Sequence, residues 1–68
     1  MKLFVIEKSE DGNCWDIIDA ELTKTAVAKC FQKHMPNHTH LRLTYYADAP
    51  QGVVNRVEAF LPPLSLFP

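Results

Sequence analysis

The residues richest in potential chemistry are three histidines, His34, His38 and His40, which read H-x3-H-x-H. Imidazole is a common ligand for zinc, copper or nickel, so the spacing raises the question of a metal site. Pro36 answers part of it, because a proline between His34 and His38 breaks the helix that would stack them one turn apart. No carboxylate or cysteine lies close by in sequence to complete a four-ligand shell, and His38 and His40 share a strand face only if that strand begins early. His34 reads instead as a helix C-terminal residue that meets the free carbonyls of the last turn. The expectation is a protein with no cofactor and no metal, folding equally well with or without a chelator.

The nucleophiles and acids are similarly sparse. Cys14 and Cys30 form neither a C-x-x-C pair nor a disulfide framework, and with no export signal they read as reduced thiols. Cys30 sits among apolar helix positions and reads as a small buried hydrophobe. Asp16 and Asp19 are an odd step apart, which puts them on opposite faces of a regular strand and removes them as an acid/base pair. The two glycines, Gly12 and Gly52, make no phosphate-cradling loop. Nothing here names a reaction, and the chain reads as a non-enzyme.

Charge narrows the partners. Seven Lys and Arg against eight Asp and Glu give a formal charge of -1, far from the basic balance of a dedicated nucleic-acid binder. The signs segregate: Glu7, Glu10, Asp11, Asp16, Asp19 and Glu21 precede Lys24, Lys29, Lys33, Arg42 and Arg56. A basic helix side with Arg42, Thr44 and Tyr46 on one strand face makes a nucleic-acid-binding accessory module the alternative function. The acidic hairpin repels phosphate, so nucleic acid ranks behind protein as a partner.

The elements that position these residues follow from pattern. Lys2–Lys8 is an apolar strand. Ser9-Glu10-Asp11-Gly12-Asn13 is a turn, and Cys14–Ala20 returns as a second strand. Thr23 caps a helix that runs to about His34, with Val27, Cys30, Phe31 and His34 as its inward stripe. On that reading Phe31→Ala costs roughly 3–5 kcal/mol. His40–Tyr46 alternates Leu41, Leu43 and Tyr45 against Arg42, Thr44 and Tyr46. Val53–Leu61 reads as a fourth strand, with Val53, Asn55, Val57, Ala59 and Leu61 on one face and Val54, Arg56, Glu58 and Phe60 on the other. The expected fold is α+β, ββαββ: a four-stranded, mostly antiparallel sheet with one helix packed on one face. Residues 1–61 form the single domain and residues 62–68 a Pro-rich apolar C-terminal tail.

What this layout does not absorb is apolar surface. The chain is 47% hydrophobic, yet a lone domain of this size buries only about 60% of its unfolded surface. Both faces of the hairpin are apolar, and the tail carries Leu64, Leu66 and Phe67. The surplus predicts a second buried surface, supplied by the tail, by a second copy or by a larger protein, and the chain is expected to self-associate as a two-fold homodimer. The residues expected to bind that partner are Phe4, Ile6, Ile18, Arg42, Tyr46, Arg56, Phe60, Leu64, Leu66 and Phe67. The tail is expected to be ordered and buried. Lys2 is followed by only four apolar residues, too few for a signal-peptide core of ~7–15, and no run approaches the ~20 that span a bilayer. A cytoplasmic protein away from the membrane is expected. In length and element order the chain is similar to the small inhibitors that bacteriophages encode against host machinery, a likeness of size and layout without a shared motif. It implies an inhibitor- or adaptor-like phage protein that occupies a surface of a host protein.

Overall fold

The computed structural model describes residues 1–61. Its order is β1 (Leu3–Ser9), β2 (Asp16–Glu21), α1 (Lys24–His34), β3 (His40–Tyr46) and α2 (Gln51–Val57), with short 3-10 turns after each helix at Met35–Asn37 and Glu58–Phe60. The fold is α+β with a three-stranded antiparallel sheet and two short helices. β1 is central, in the order β2-β1-β3. No helix among the described residues is long and apolar enough to cross a membrane. The expected burial of the tail, and with it Leu64, Leu66 and Phe67, falls outside the described residues.

The expected fourth strand is a helix, and the correction has a physical cause. Positions 53, 57 and 61 are spaced by four, a step that fits both the alternation of a strand and the turn of a helix. As a strand the segment would add one more ladder and leave a sheet face bare. As a helix it lays Val53 and Val57 onto Leu3, Val5 and Ala20, with Ile17, Leu22, Tyr46, Ala49 and Leu61 packed around them. Asn55 and Ala59, which strand alternation places beside these valines, are exposed. Burial thus overrides the β-propensity of three valines. The Pro50 carbonyl accepts from the Val53 and Val54 N–H groups at 3.0 and 3.1 Å and starts the helix.

The opposite face belongs to α1. Thr23 caps it as expected, its hydroxyl accepting from the Ala26 N–H at 3.2 Å, and the helix ends at His34 before Pro36. α1 rests on β1 and β2, with Val27 and Ile6 fully buried on this side. Phe31, expected in the core, is only half-buried, so its truncation costs less than the full aromatic loss. Both apolar faces of β1 are therefore covered from within the chain, one by each helix. The ββαββ layout on which the likeness to phage inhibitors partly rested is replaced by ββαβα.

The β1–β2 ladder is irregular. Ile6 pairs with Asp19 but Glu7 pairs with Ile17, so Ile18 is the extra residue of a bulge. The bulge reverses the alternation after Ile17. Asp16, opposite Lys8, and Asp19, opposite Ile6, consequently fall on the same sheet face rather than on opposite ones. The loop before β2 closes around Asp11, whose Oδ1 accepts from the Asn13 N–H at 2.8 Å, the Cys14 N–H at 3.0 Å and the Ser9 hydroxyl at 3.0 Å. Gly12 supplies the positive φ of 83° that the turn needs.

These donors, Cys14 first and then Asn13 and Ser9, hold the Asp11 carboxyl at about 2 against an ordinary 3.8. A carboxylate depressed in the folded state stabilises above its unfolded value and loses that contribution as pH falls through the folded one. Asp11→Ala should therefore melt below wild type at neutral pH, and the gap should close as pH drops from about 3.8 toward 2. Thermal melts of both proteins across this range check it; a gap that stays constant refutes the role assigned to the carboxylate.

Candidate functional site

Among the described residues, those expected to meet a partner do not form one surface. Ile6 is fully buried beneath α1 and belongs to the core. Ile18 is the half-buried bulge residue. Tyr46 is half-buried against the α2 cluster. Arg56 is exposed in the last turn of α2, and Phe60 is partly exposed in the 3-10 turn beyond it. Arg42 donates to Glu7 Oε1 at 3.0 Å, and its guanidinium stacks 4.1 Å from the Trp15 ring centroid. Thr44 donates to the same Glu7 oxygen at 3.2 Å. The basic strand face that favoured nucleic acid thus carries its own counter-charge. Of the seven that fall among the described residues, Phe4 is the one that sits in an accessible apolar group.

That group lies on β3. Its ladder with β1 runs without a break from Leu3 opposite Tyr46 to Ser9 opposite His40. Phe4, Leu41, Leu43 and Tyr45 share the α1 side of the sheet, but α1 covers β1 and β2 and leaves β3 open. Leu43 is 46% exposed and Tyr45 49%, with the Tyr45 ring stacked 4.8 Å from that of Phe4. The outer backbone edge of β3 has no neighbouring strand among the described residues. The two sheet edges differ. β2 carries the bulge together with Asp16, Asp19 and Glu21, devices that discourage edge pairing. β3 is regular, and Arg42 is the sole side chain in it that is charged at every physiological pH.

A second group lies between β2 and α1. Asp19 and Glu21 are two apart on a strand and face the same way; Cys30 and His34 are four apart on a helix and do likewise. Packing α1 on β2 brings the pairs together. His34 Nε2 lies 3.2 Å from Asp19 Oδ2, and Cys30 Sγ donates to Glu21 Oε1 at 3.5 Å. The donor atoms of Asp19, Glu21 and Cys30 all lie within 4.8 Å of one another. His34 therefore meets a carboxylate rather than the last carbonyls of its helix. Desolvation, then the Glu21 hydrogen bond and the charges of both carboxylates, raise the Cys30 thiol to about 11. The remaining histidines divide: the His38 ring is 5.9 Å from that of His34, whereas His40 pairs with Ser9 at the far end of the sheet. The sequence holds the signal for this cluster as D-x-E and C-x3-H, each a same-face spacing, which corrects the expectation that no cysteine stands near the histidines: Cys30 is four residues before His34. The sequence does not show that the two faces meet.

Comparisons of the chain with protein families, with curated proteins and with solved structures return no match.

Proposed function

We propose that the chain is a small non-enzymatic protein-binding module, inhibitor- or adaptor-like, that receives an extended segment of a larger protein as a fourth strand on β3. The observation that carries this reading is the β3 edge, which no strand covers among the described residues, with Leu43 and Tyr45 exposed beside it. Strand addition draws affinity from main-chain hydrogen bonds and specificity from alternate side chains. The fitting segment is apolar at every second residue, to meet Leu41, Leu43 and Tyr45, and bears no positive charge opposite Arg42. The absence of chemistry is supported by Cys30, whose thiol is pushed up to about 11, the reverse of what a nucleophile requires.

β3 of a second copy is the competing occupant. Centred on Leu43, two such strands oppose Leu41 to Tyr45 and Arg42 to Thr44, with no like charges facing. Leu43→Lys installs an edge lysine that opposes either pairing at an exposed site where stability should move by less than about 0.5 kcal/mol. Affinity capture from bacterial lysate with wild type, Leu43→Lys and the helix-surface control Lys29→Glu, beside sedimentation of each, decides between them. Proteins held by wild type and control but released by Leu43→Lys support the reading. Identical capture by all three, or capture of nothing, overturns it. A Leu43→Lys-sensitive dimer that captures nothing else assigns the edge to a second copy instead.

A further inference from the structure

We propose that Asp19, Glu21, Cys30 and His34 form a binding site for one divalent transition-metal ion, zinc foremost. The site is separate from β3 and does not depend on the reading given to that edge. Tetrahedral zinc binds sulfur at about 2.3 Å, nitrogen at about 2.0–2.1 Å and oxygen at about 2.0–2.2 Å, so its ligands stand roughly 3.3–3.7 Å apart. The His34–Asp19 separation of 3.2 Å and the Cys30–Glu21 separation of 3.5 Å are already close to such edges. The third relation places ligand atoms of Asp19, Glu21 and Cys30 within 4.8 Å of one another; His34 stands outside that group of three and reaches it through Asp19, so an ion held by the three draws the imidazole in as the fourth ligand.

The backbone geometry is equally suited. Two ligands come from one strand face and two from one helix face, on elements held by the packing of the sheet, rather than from loops. The bulge at Ile18 assists, because it sets Asp19 and Glu21 on the α1 side while Ile17 and Ala20 stay with the α2 core. All four ligands are partly buried, which limits competition by water without closing the way in.

The donor set also selects. One sulfur, one imidazole and two carboxylates suit zinc or cobalt, whereas magnesium and calcium prefer oxygen alone and copper(I) prefers several sulfurs. Binding is an exchange without redox. The Cys30 S–H bond breaks, its electron pair goes to the metal and its proton to solvent. Neutral His34 offers the Nε2 lone pair, with its proton on Nδ1, and the ion replaces the hydrogens that now bridge the two pairs. The free protein remains folded because each ligand already has a partner in the cluster. Metal then adds a tie between β2 and α1 and raises the melting temperature with its concentration.

The test uses the reduced, metal-free whole chain. Cobalt(II) titration should give the visible bands of a tetrahedral ion and a near-ultraviolet thiolate-to-cobalt band, at one ion per chain, and zinc chloride should abolish both. Competition with a chromophoric chelator gives the zinc affinity, expected at micromolar or tighter. Cys30→Ser should remove the thiolate band, and either Cys30→Ser or Asp19→Asn should weaken zinc by at least about tenfold, the least that even an outer-shell partner costs. Cys14→Ser should change nothing. Should the ligand variants unfold, NMR of the wild-type chain still decides, since zinc must shift the Cys30 Cβ and the His34 ring. No binding at micromolar metal, a cobalt spectrum lost with Cys14→Ser, or zinc that leaves the Cys30 and His34 signals unmoved overturns the proposal.

Discussion

Replacing Val57 by Asp is expected to leave the chain unfolded at neutral pH, while Asn55→Asp, two residues earlier in α2, leaves it folded. Val57 is wholly buried among Leu3, Val5 and Ala20. A carboxyl there stays neutral at pH 7 only by taking up a proton about three units above its ordinary pKa, at a cost of about 4 kcal/mol. The lost burial of the valine adds roughly 1–2 kcal/mol. A single core at this length rarely supplies more than ~3–5 kcal/mol, so the folded state does not survive. Asn55 is exposed, and an aspartate there keeps the acceptor that Gln51 Nε2 now reaches at 2.8 Å. Far-UV circular dichroism and an amide NMR spectrum at pH 7 separate the two variants. If residues 53–61 were a strand, positions 55 and 57 would share a face and both charges would be disruptive. A Val57→Asp protein that melts like wild type removes α2 from the core.

The contrast at positions 55 and 57 also shows where the sequence stops being legible. β1, α1 and β3 are visible from composition and caps alone: the apolar run from Leu3 to Ile6, Thr23 before a helical stripe, and the clean alternation of Leu41, Leu43 and Tyr45. Residues 53–61 are not, because valines four apart satisfy both periods and Asn55 is the sole polar residue that distinguishes them. The bulge at Ile18 is hidden for a related reason. Ile17 and Ile18 are adjacent and equally apolar, so nothing in their order says which one is skipped by the ladder. The surplus of apolar residues predicts a second buried surface, and α2 supplies much of that surface from within the chain. For the candidate sites, the apolar alternation of β3 is legible but the strand order that leaves its edge open is not. The Asp19–Glu21–Cys30–His34 cluster depends on a strand and a helix meeting, which no local spacing reports.

Ile6→Ala is expected to destabilise the protein by about 2–5 kcal/mol, the range for a large aliphatic lost from a core. Ile6 is fully buried on the α1 side, flanked in register by Asp19 and Leu43. Phe31 of α1 is only half-buried, and Phe31→Ala should cost less than Ile6→Ala despite the larger side chain. Urea unfolding at equilibrium measures both, with an unchanged dependence on urea showing that the two-state comparison holds. The reverse order would mean that the helix, rather than the central strand, holds the core on this side. Because the available stability is so small, the Ile6→Ala transition should begin at the lowest urea concentrations.

The placement of β1 in the middle of the sheet bears on how the chain is made. Its hairpin partner β2 follows within a few residues, but the strand that seals its other edge ends at Tyr46, opposite Leu3. A ribosome adding about 5–20 residues per second takes roughly one to five seconds to go from Glu21 to Tyr46. Hairpins form in about 1–10 microseconds, so β1 and β2 can pair long before β3 exists. Through that interval the backbone edge of Leu3–Ile6 stands open, flanked by some of the most apolar side chains in the molecule. The nascent chain thus spends its most aggregation-prone seconds before β3, the strand proposed above to receive a partner, has been made.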